Sequence, residues 1–186
     1  MIKIDKLSKK YDKDYVLENL SCNIKDNSIY GLVGANGSGK STLLRTIMGI
    51  YEADGGAISV DGEGVYDNEI MKEKMVFIPD DLFFYPGYTL MDTARYYESM
   101  YKDFDMNYLK ELAKTLNLSL NKKISTFSKG MKRQCALICA ICTNCDYMLF
   151  DETFDGLDPV IRNLMKKILI KQMNKKRTTI IMTSHN

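Results

Sequence analysis

The 186-residue sequence predicts an α/β fold, a mostly parallel sheet with a helical subdomain inserted into it. Two observations carry that prediction. Strand-like apolar runs alternate with helical patterns at both ends of the chain, and a continuous helical stretch from about 81 to 145 separates them. The composition, 45% hydrophobic and 27% charged, is that of a globular chain able to bury one sizeable core. A single domain over residues 1–186 is therefore expected.

In order, Ile2, Ile4 and Leu7 mark a first strand and Tyr15 to Ile24 a second, with the turn-prone Asp12-Lys13-Asp14 between them. Ser28 to Val33 reads as a buried strand. A glycine-rich loop follows, then a helix from about Ser41 to Gly49. Ala57 to Val60 and Met75 to Ile78 are further strands, the latter closed by Pro79. Apolar residues at three and four spacing predict helices over Tyr88 to Tyr101 and Met106 to Leu116, and a third helix should begin at Ser128. Tyr147 to Phe150 returns to strand, Pro159 opens a helix running to about Met173, and Thr178 to Met182 closes as a strand.

Composition also excludes. Lysine plus arginine exceed aspartate plus glutamate by only 26 − 24 = 2, so no nucleic-acid partner is expected. No apolar run approaches the roughly 20 residues that span a bilayer, and Met1-Ile-Lys-Ile-Asp enters a strand pattern without a signal peptide. Five cysteines, four of them crowded between Cys135 and Cys145, fit a reducing cytoplasm. If a membrane matters, a partner must supply it.

Gly34-Ala-Asn-Gly-Ser-Gly39-Lys40-Ser41 fulfils G-x-x-x-x-G-K-[ST] between a predicted strand and a predicted helix. Glycines let main-chain N–H groups converge on phosphate oxygens, and the helix N-terminus adds partial positive charge. The candidate nucleotide contacts are Asn36, Gly37, Ser38, Gly39, Lys40, Ser41 and Thr42. Lys40 would reach the β and γ phosphates, and the Ser41 hydroxyl would meet Mg²⁺. Tyr147-Met-Leu-Phe-Asp151-Glu152 is an apolar strand ending in two acids, at the end of an α/β sheet where ligands sit. Asp151 is a candidate Mg²⁺ residue and Glu152 a candidate for orienting or deprotonating the attacking water.

Phe127-Ser128-Lys129-Gly130-Met131-Lys132-Arg133-Gln134, just upstream of those acids, resembles the signature loop of ABC-type ATPases, the nucleotide-binding domains of ABC transporters. The resemblance covers nearly the whole chain. It implies a P-loop NTPase fold with an additional antiparallel β subdomain, ATP and Mg²⁺ as ligands, and hydrolysis that drives transmembrane permease subunits. It further implies a head-to-tail homodimer or heterodimer with two ATP molecules sandwiched between subunits, peripheral on the inner face of the cell membrane. Ser128 and Gly130 would then face the γ-phosphate of the partner, Tyr11 (or its neighbour Tyr15) would stack on adenine, and His185 would contact the γ-phosphate. Asp155-Gly-Leu-Asp158 resembles the loop that signals between subunits. A soluble ABC-type ATPase or a nucleotide switch not coupled to transport is the alternative.

Three positions depart from the family pattern. Asp80 stands where a glutamine is usual; it can still meet Mg²⁺ or its waters but cannot donate as an amide does, and an acid here resembles the bacterial exporter-type branch. Thr153-Phe154-Asp155 replaces the usual Pro-Thr-Ser. The chain ends at Asn186, one residue past the histidine, so the resemblance implies that the C-terminal part of the usual domain is absent.

Two further patterns need a reading. Cys139-x-x-Cys142-x-x-Cys145 echoes iron–sulfur spacing, but ligands from one continuous helix rarely converge on a cluster, so these cysteines are read as core. Leu82-Phe-Phe-Tyr-Pro-Gly-Tyr88 is unusually aromatic and is read as a docking surface for the membrane partner, an expectation that burial of Phe83, Phe84 and Tyr88 would remove.

Overall fold

The computed structural model describes residues 1–185. Two four-stranded sheets organise it. In the first, β1 (Ile2–Tyr11) pairs antiparallel with β2 (Asp14–Ile24), and β4 (Gly55–Val60) flanks β1 on its other edge; a two-residue strand, β5 (Glu63–Gly64), completes the order β2-β1-β4-β5. Ile2, Ile4 and Leu7 all face the core although their spacing changes from two to three. The register jumps between Ile4 and Leu7, where Lys6 takes φ 49°, and this bulge returns Leu7 to the buried face.

The second sheet is wholly parallel in the order β3-β8-β7-β6, from β3 (Ile29–Val33), β6 (Met75–Ile78), β7 (Tyr147–Phe150) and β8 (Thr179–Ser184). β7 is central and all four of its residues are buried, which is why it reads as an unbroken apolar run. Phe150 pairs with Ile78 and Met182, and Leu32 with Thr183. The carboxyl ends of all four strands therefore lie level, where ligands of α/β sheets bind. α1 (Lys40–Ile47) buries Leu43, Leu44 and Ile47 in one cluster with Ile2, Ile4, Leu149 and Ile181, so it packs between the two sheets.

The inserted helices are α3 (Leu90–Met100), α4 (Met106–Thr115) and α5 (Lys129–Cys142), with a 3₁₀ turn at Ile124–Thr126. α3 starts later than the apolar spacing from Tyr88 predicts because Thr89 and Asp92 form a capping box. α5 is the link to the sheet: Cys135 to Cys142 share a core with Val76, Ile78 and Phe150. Burial pushes the Cys135 and Cys145 thiols up to about 12 and the Cys139 thiol well above its ordinary value. α6 (Pro159–Lys176) begins at the proline the sequence marks and runs past Met173. A short helix, α2 (Glu69–Glu73), capped by Asn68, is unforeseen in the sequence, as is β5. No helix among the described residues is long and apolar enough to cross a membrane.

Candidate nucleotide site

The loop after β3 turns sharply at Gly34–Ser38, where the Ser38 N–H donates to the Ala35 carbonyl at 3.2 Å. Gly39 closes it with φ 89°, and a Cβ there would lie 2.9 Å from the Val16 carbonyl oxygen, so only glycine fits. α1 then starts with no side-chain cap and no acid in its first turn. Its leading N–H groups keep their positive end exposed to the loop. Lys40 is buried, and its Nζ donates to the carbonyls of Gly34 at 2.7 Å and Ala35 at 3.0 Å. A cavity of about 480 Å³ opens in front of these groups. Tyr11 and Val16 wall it from the antiparallel sheet, Asn36, Gly37 and Gly39 to Thr42 form its floor, and Asp80 and Glu152 face them.

The acidic wall is held by hydrogen bonds. Asp151 is 1% exposed, and its Oδ1 accepts from the Thr183 hydroxyl at 2.7 Å. The same hydroxyl oxygen accepts from the Glu152 N–H at 2.9 Å. Glu152 has φ 48°, a left-handed conformation that is costly for a long side chain; Asn and Asp fill most of the other such positions among the described residues. That turn aims its carboxylate back over the loop. Oε1 lies 3.6 Å from Lys40 Nζ and Oε2 3.6 Å from His185 Nδ1, while His185 Nδ1 also approaches Asp155 Oδ2 at 2.9 Å. Asp80 Oδ1 accepts from Arg133 Nη2 at 2.6 Å.

Most of the residues singled out in the sequence meet here. Tyr11, Asn36, Gly37, Gly39, Lys40, Ser41, Thr42, Asp80 and Glu152 share the cavity wall, and Asp151 and His185 adjoin it through Thr183 and Glu152. Tyr15 instead lies beneath the Lys10 ammonium, 4.4 Å from its ring centre. Ser38 is exposed and shapes the turn. Ser128 and Gly130 lie apart from the cavity at the N-terminus of α5, where the Ser128 hydroxyl oxygen accepts from the Met131 N–H at 3.2 Å. Asp158 caps α6 through bonds from Val160 and Ile161 N–H. Thr183 and Arg133 bond to these residues, contacts that sequence patterns miss because each spans a long separation in the chain. In the aromatic segment Phe83 is 74% exposed, Tyr85 is exposed, and Phe84 and Tyr88 are half-buried around a second, apolar cavity of about 280 Å³.

Residues 17–155 match the family model described as ABC transporter. The chain belongs to the ABC transporter family. Tyr11 and His185 lie outside the matched span. Among relatives, this ABC-family chain is 34% identical over 185 residues to the ABC transporter ATP-binding protein YtrB of Bacillus subtilis, covering 100% of itself and 63% of that protein. It is 30% identical over 191 residues to the linearmycin resistance ATP-binding protein LnrL of the same organism, covering 100% of itself and 61% of that protein. The chain thus spans somewhat less than two thirds of these relatives. A solved structure described as the ATP binding subunit of an ABC transporter superposes with a TM-score of 0.87 at 26% identity, over 99% of this chain and 79% of that one. The fold is that of the P-loop ABC ATPases.

Proposed function

We propose that this chain binds ATP with Mg²⁺ in the 480 Å³ cavity and hydrolyses it, as the cytoplasmic, peripheral ATP-binding part of an ABC transporter whose membrane-spanning permease subunits are other chains. The observation that carries this reading is one cavity with opposite chemistries on its two sides. Lys40 and the uncapped start of α1 offer donors and positive charge on one side, and Glu152 is turned toward them from the other.

The donor set fits a polyphosphate and its metal ion. Lys40 and the amides of Gly37 to Thr42 would bind phosphate oxygens, and the exposed Tyr11 ring would cover the base. Ser41, Asp80 and Asp151 would supply oxygen donors for Mg²⁺, directly or through water, and the ion would neutralise charge that develops on the phosphates. Glu152 would hold and polarise the attacking water, and His185, adjoining it, would orient toward the γ-phosphate. Ser128 and Gly130 stand outside the cavity on a capped helix start, an arrangement suited to closing the site of a second ATPase domain in a homodimer or heterodimer. The exposed aromatic face around Phe83 and Tyr85 is the surface assigned to the permease.

Phosphate release tests the proposal. Wild type should release phosphate from Mg-ATP; Glu152→Gln should bind ATP within about threefold of wild type, turn over at least about 100-fold more slowly, and accumulate as a dimer in light scattering. Unchanged turnover in the variant would remove Glu152 from its role. No release by a wild-type sample that binds ATP would leave a nucleotide switch instead.

A further inference from the structure

Arg133 lies one turn inside α5, and its guanidinium reaches two segments that line the cavity and a third beside them. Nη2 donates to Asp80 Oδ1 at 2.6 Å, in the segment after β6. Nη1 donates to the Glu152 carbonyl oxygen at 3.2 Å, in the strained turn after β7. A Cβ on Gly156, which holds φ 82°, would sit 3.2 Å from the same Nη1, so the segment leading to α6 passes against the guanidinium as glycine. The partners are 53 and 19 residues away in sequence, and one planar fork joins them.

The identity at position 80 gives this bracket its meaning. A guanidinium only donates, and a carboxylate only accepts, so Asp80 and Arg133 form a charge-assisted bond. The glutamine of the family pattern would offer a neutral and weaker acceptor. The departure at Asp80 is thereby matched by a cation on the helix whose N-terminus carries Ser128 and Gly130. Asp80 is 53% exposed and Arg133 21% exposed, so water screens the pair and its contribution to global stability is small. Its consequence lies in local order.

We propose that Arg133 is a positioning residue for hydrolysis: it clamps Asp80 to the Glu152 turn, fixing the acidic wall of the cavity and making α5 move with it. The proposal rests on the hydrolytic role given to Glu152 above. Displacing the Asp80 carboxylate and the Glu152 main chain by even an ångström slows a reaction that depends on geometry, without removing any group that binds phosphate.

Two measurements on the full chain test this and separate it from the reading beneath it. Hydrogen exchange without nucleotide is compared for wild type, Arg133→Gln, Arg133→Lys, Asp80→Ala and the Arg133→Gln/Asp80→Ala double variant; phosphate release at saturating Mg-ATP follows. Arg133→Gln should raise exchange about tenfold at amides in both 80–85 and 152–157, with the midpoint of thermal unfolding nearly unchanged. It should lower kcat about tenfold with KM within about threefold, Arg133→Lys should fall between it and wild type, and the double variant should be no slower than the slower single. Equal exchange in wild type and Arg133→Gln overturns the clamp, as do equal kcat values or losses that multiply in the double variant. Exchange that rises as expected in a protein whose wild type releases no phosphate supports the clamp and refutes hydrolysis.

Discussion

Thr183→Val is the most demanding substitution that the site geometry specifies. Valine keeps the shape and the β-branch that suit β8, so the change isolates the hydroxyl. That hydroxyl makes two bonds, donating to Asp151 Oδ1 at 2.7 Å in a buried contact and accepting from the Glu152 N–H at 2.9 Å in a partly buried one, with Thr183 3% exposed. A bond to a charged group contributes about 1.5–3 kcal/mol, and leaving the partly buried Glu152 N–H unpaired costs about 1–2 kcal/mol, below the ceiling for a fully buried group. The extra buried methyl returns about 0.8 kcal/mol. The expected loss is therefore about 3 kcal/mol, read as a lower urea midpoint at unchanged slope. In a chain of this size that corresponds to a fall in Tm of roughly 6–12 °C. A loss below about 1 kcal/mol would show that Asp151 and Glu152 are not held through this hydroxyl. Turnover should fall as well, because both acids lose their orienting partner.

Two predictions concern the rest of the fold. Of the five thiols, Cys22 alone is not buried, so an aromatic disulfide reagent should label one equivalent in the folded protein and five in denaturant; fast labelling of two or more would contradict the packed α5 core. The Asp92 carboxyl is held below its ordinary value of 3.8, first by the Thr89 hydroxyl and then by the Thr89 N–H. A depressed carboxyl stabilises the fold above the unfolded value and loses that contribution as pH falls through the folded one. Asp92→Ala should thus be less stable than wild type at pH 7, and denaturation at successive pH values should show the difference vanishing in acid below 3.8.

The long elements and most of the cavity wall are legible in the sequence because their signals are local. Gly34 to Ser41 specifies its own turn, and the apolar run into Asp151 places that acid at a strand end. What escapes is either too short or too far-reaching for local patterns. α2 spans Glu69–Glu73, too few residues to show a helical period, and β5 spans Glu63–Gly64. Thr183 reads as a routine strand residue until the parallel register sets it beside Asp151, 32 positions away. Arg133 looks like one more charge after a signature loop, and only the packing of α5 on the sheet brings it to Asp80. The Lys6 bulge interrupts the alternation in β1, yet Leu7 still faces inward, so burial survives where simple counting fails.

The central claim is that the amides of α1 and the Lys40 ammonium hold a nucleotide's phosphates in the cavity. Calorimetric titration of the folded chain with Mg-ATP tests it most directly, run beside Lys40→Ala, whose far-ultraviolet circular dichroism should match wild type. Wild type should give a saturable curve with one site per chain, and loss of the charge-assisted bonds, about 1.5–3 kcal/mol each, should weaken Lys40→Ala at least about tenfold. Saturable heat from wild type that Lys40→Ala reproduces, or no heat from folded wild type, would contradict the account.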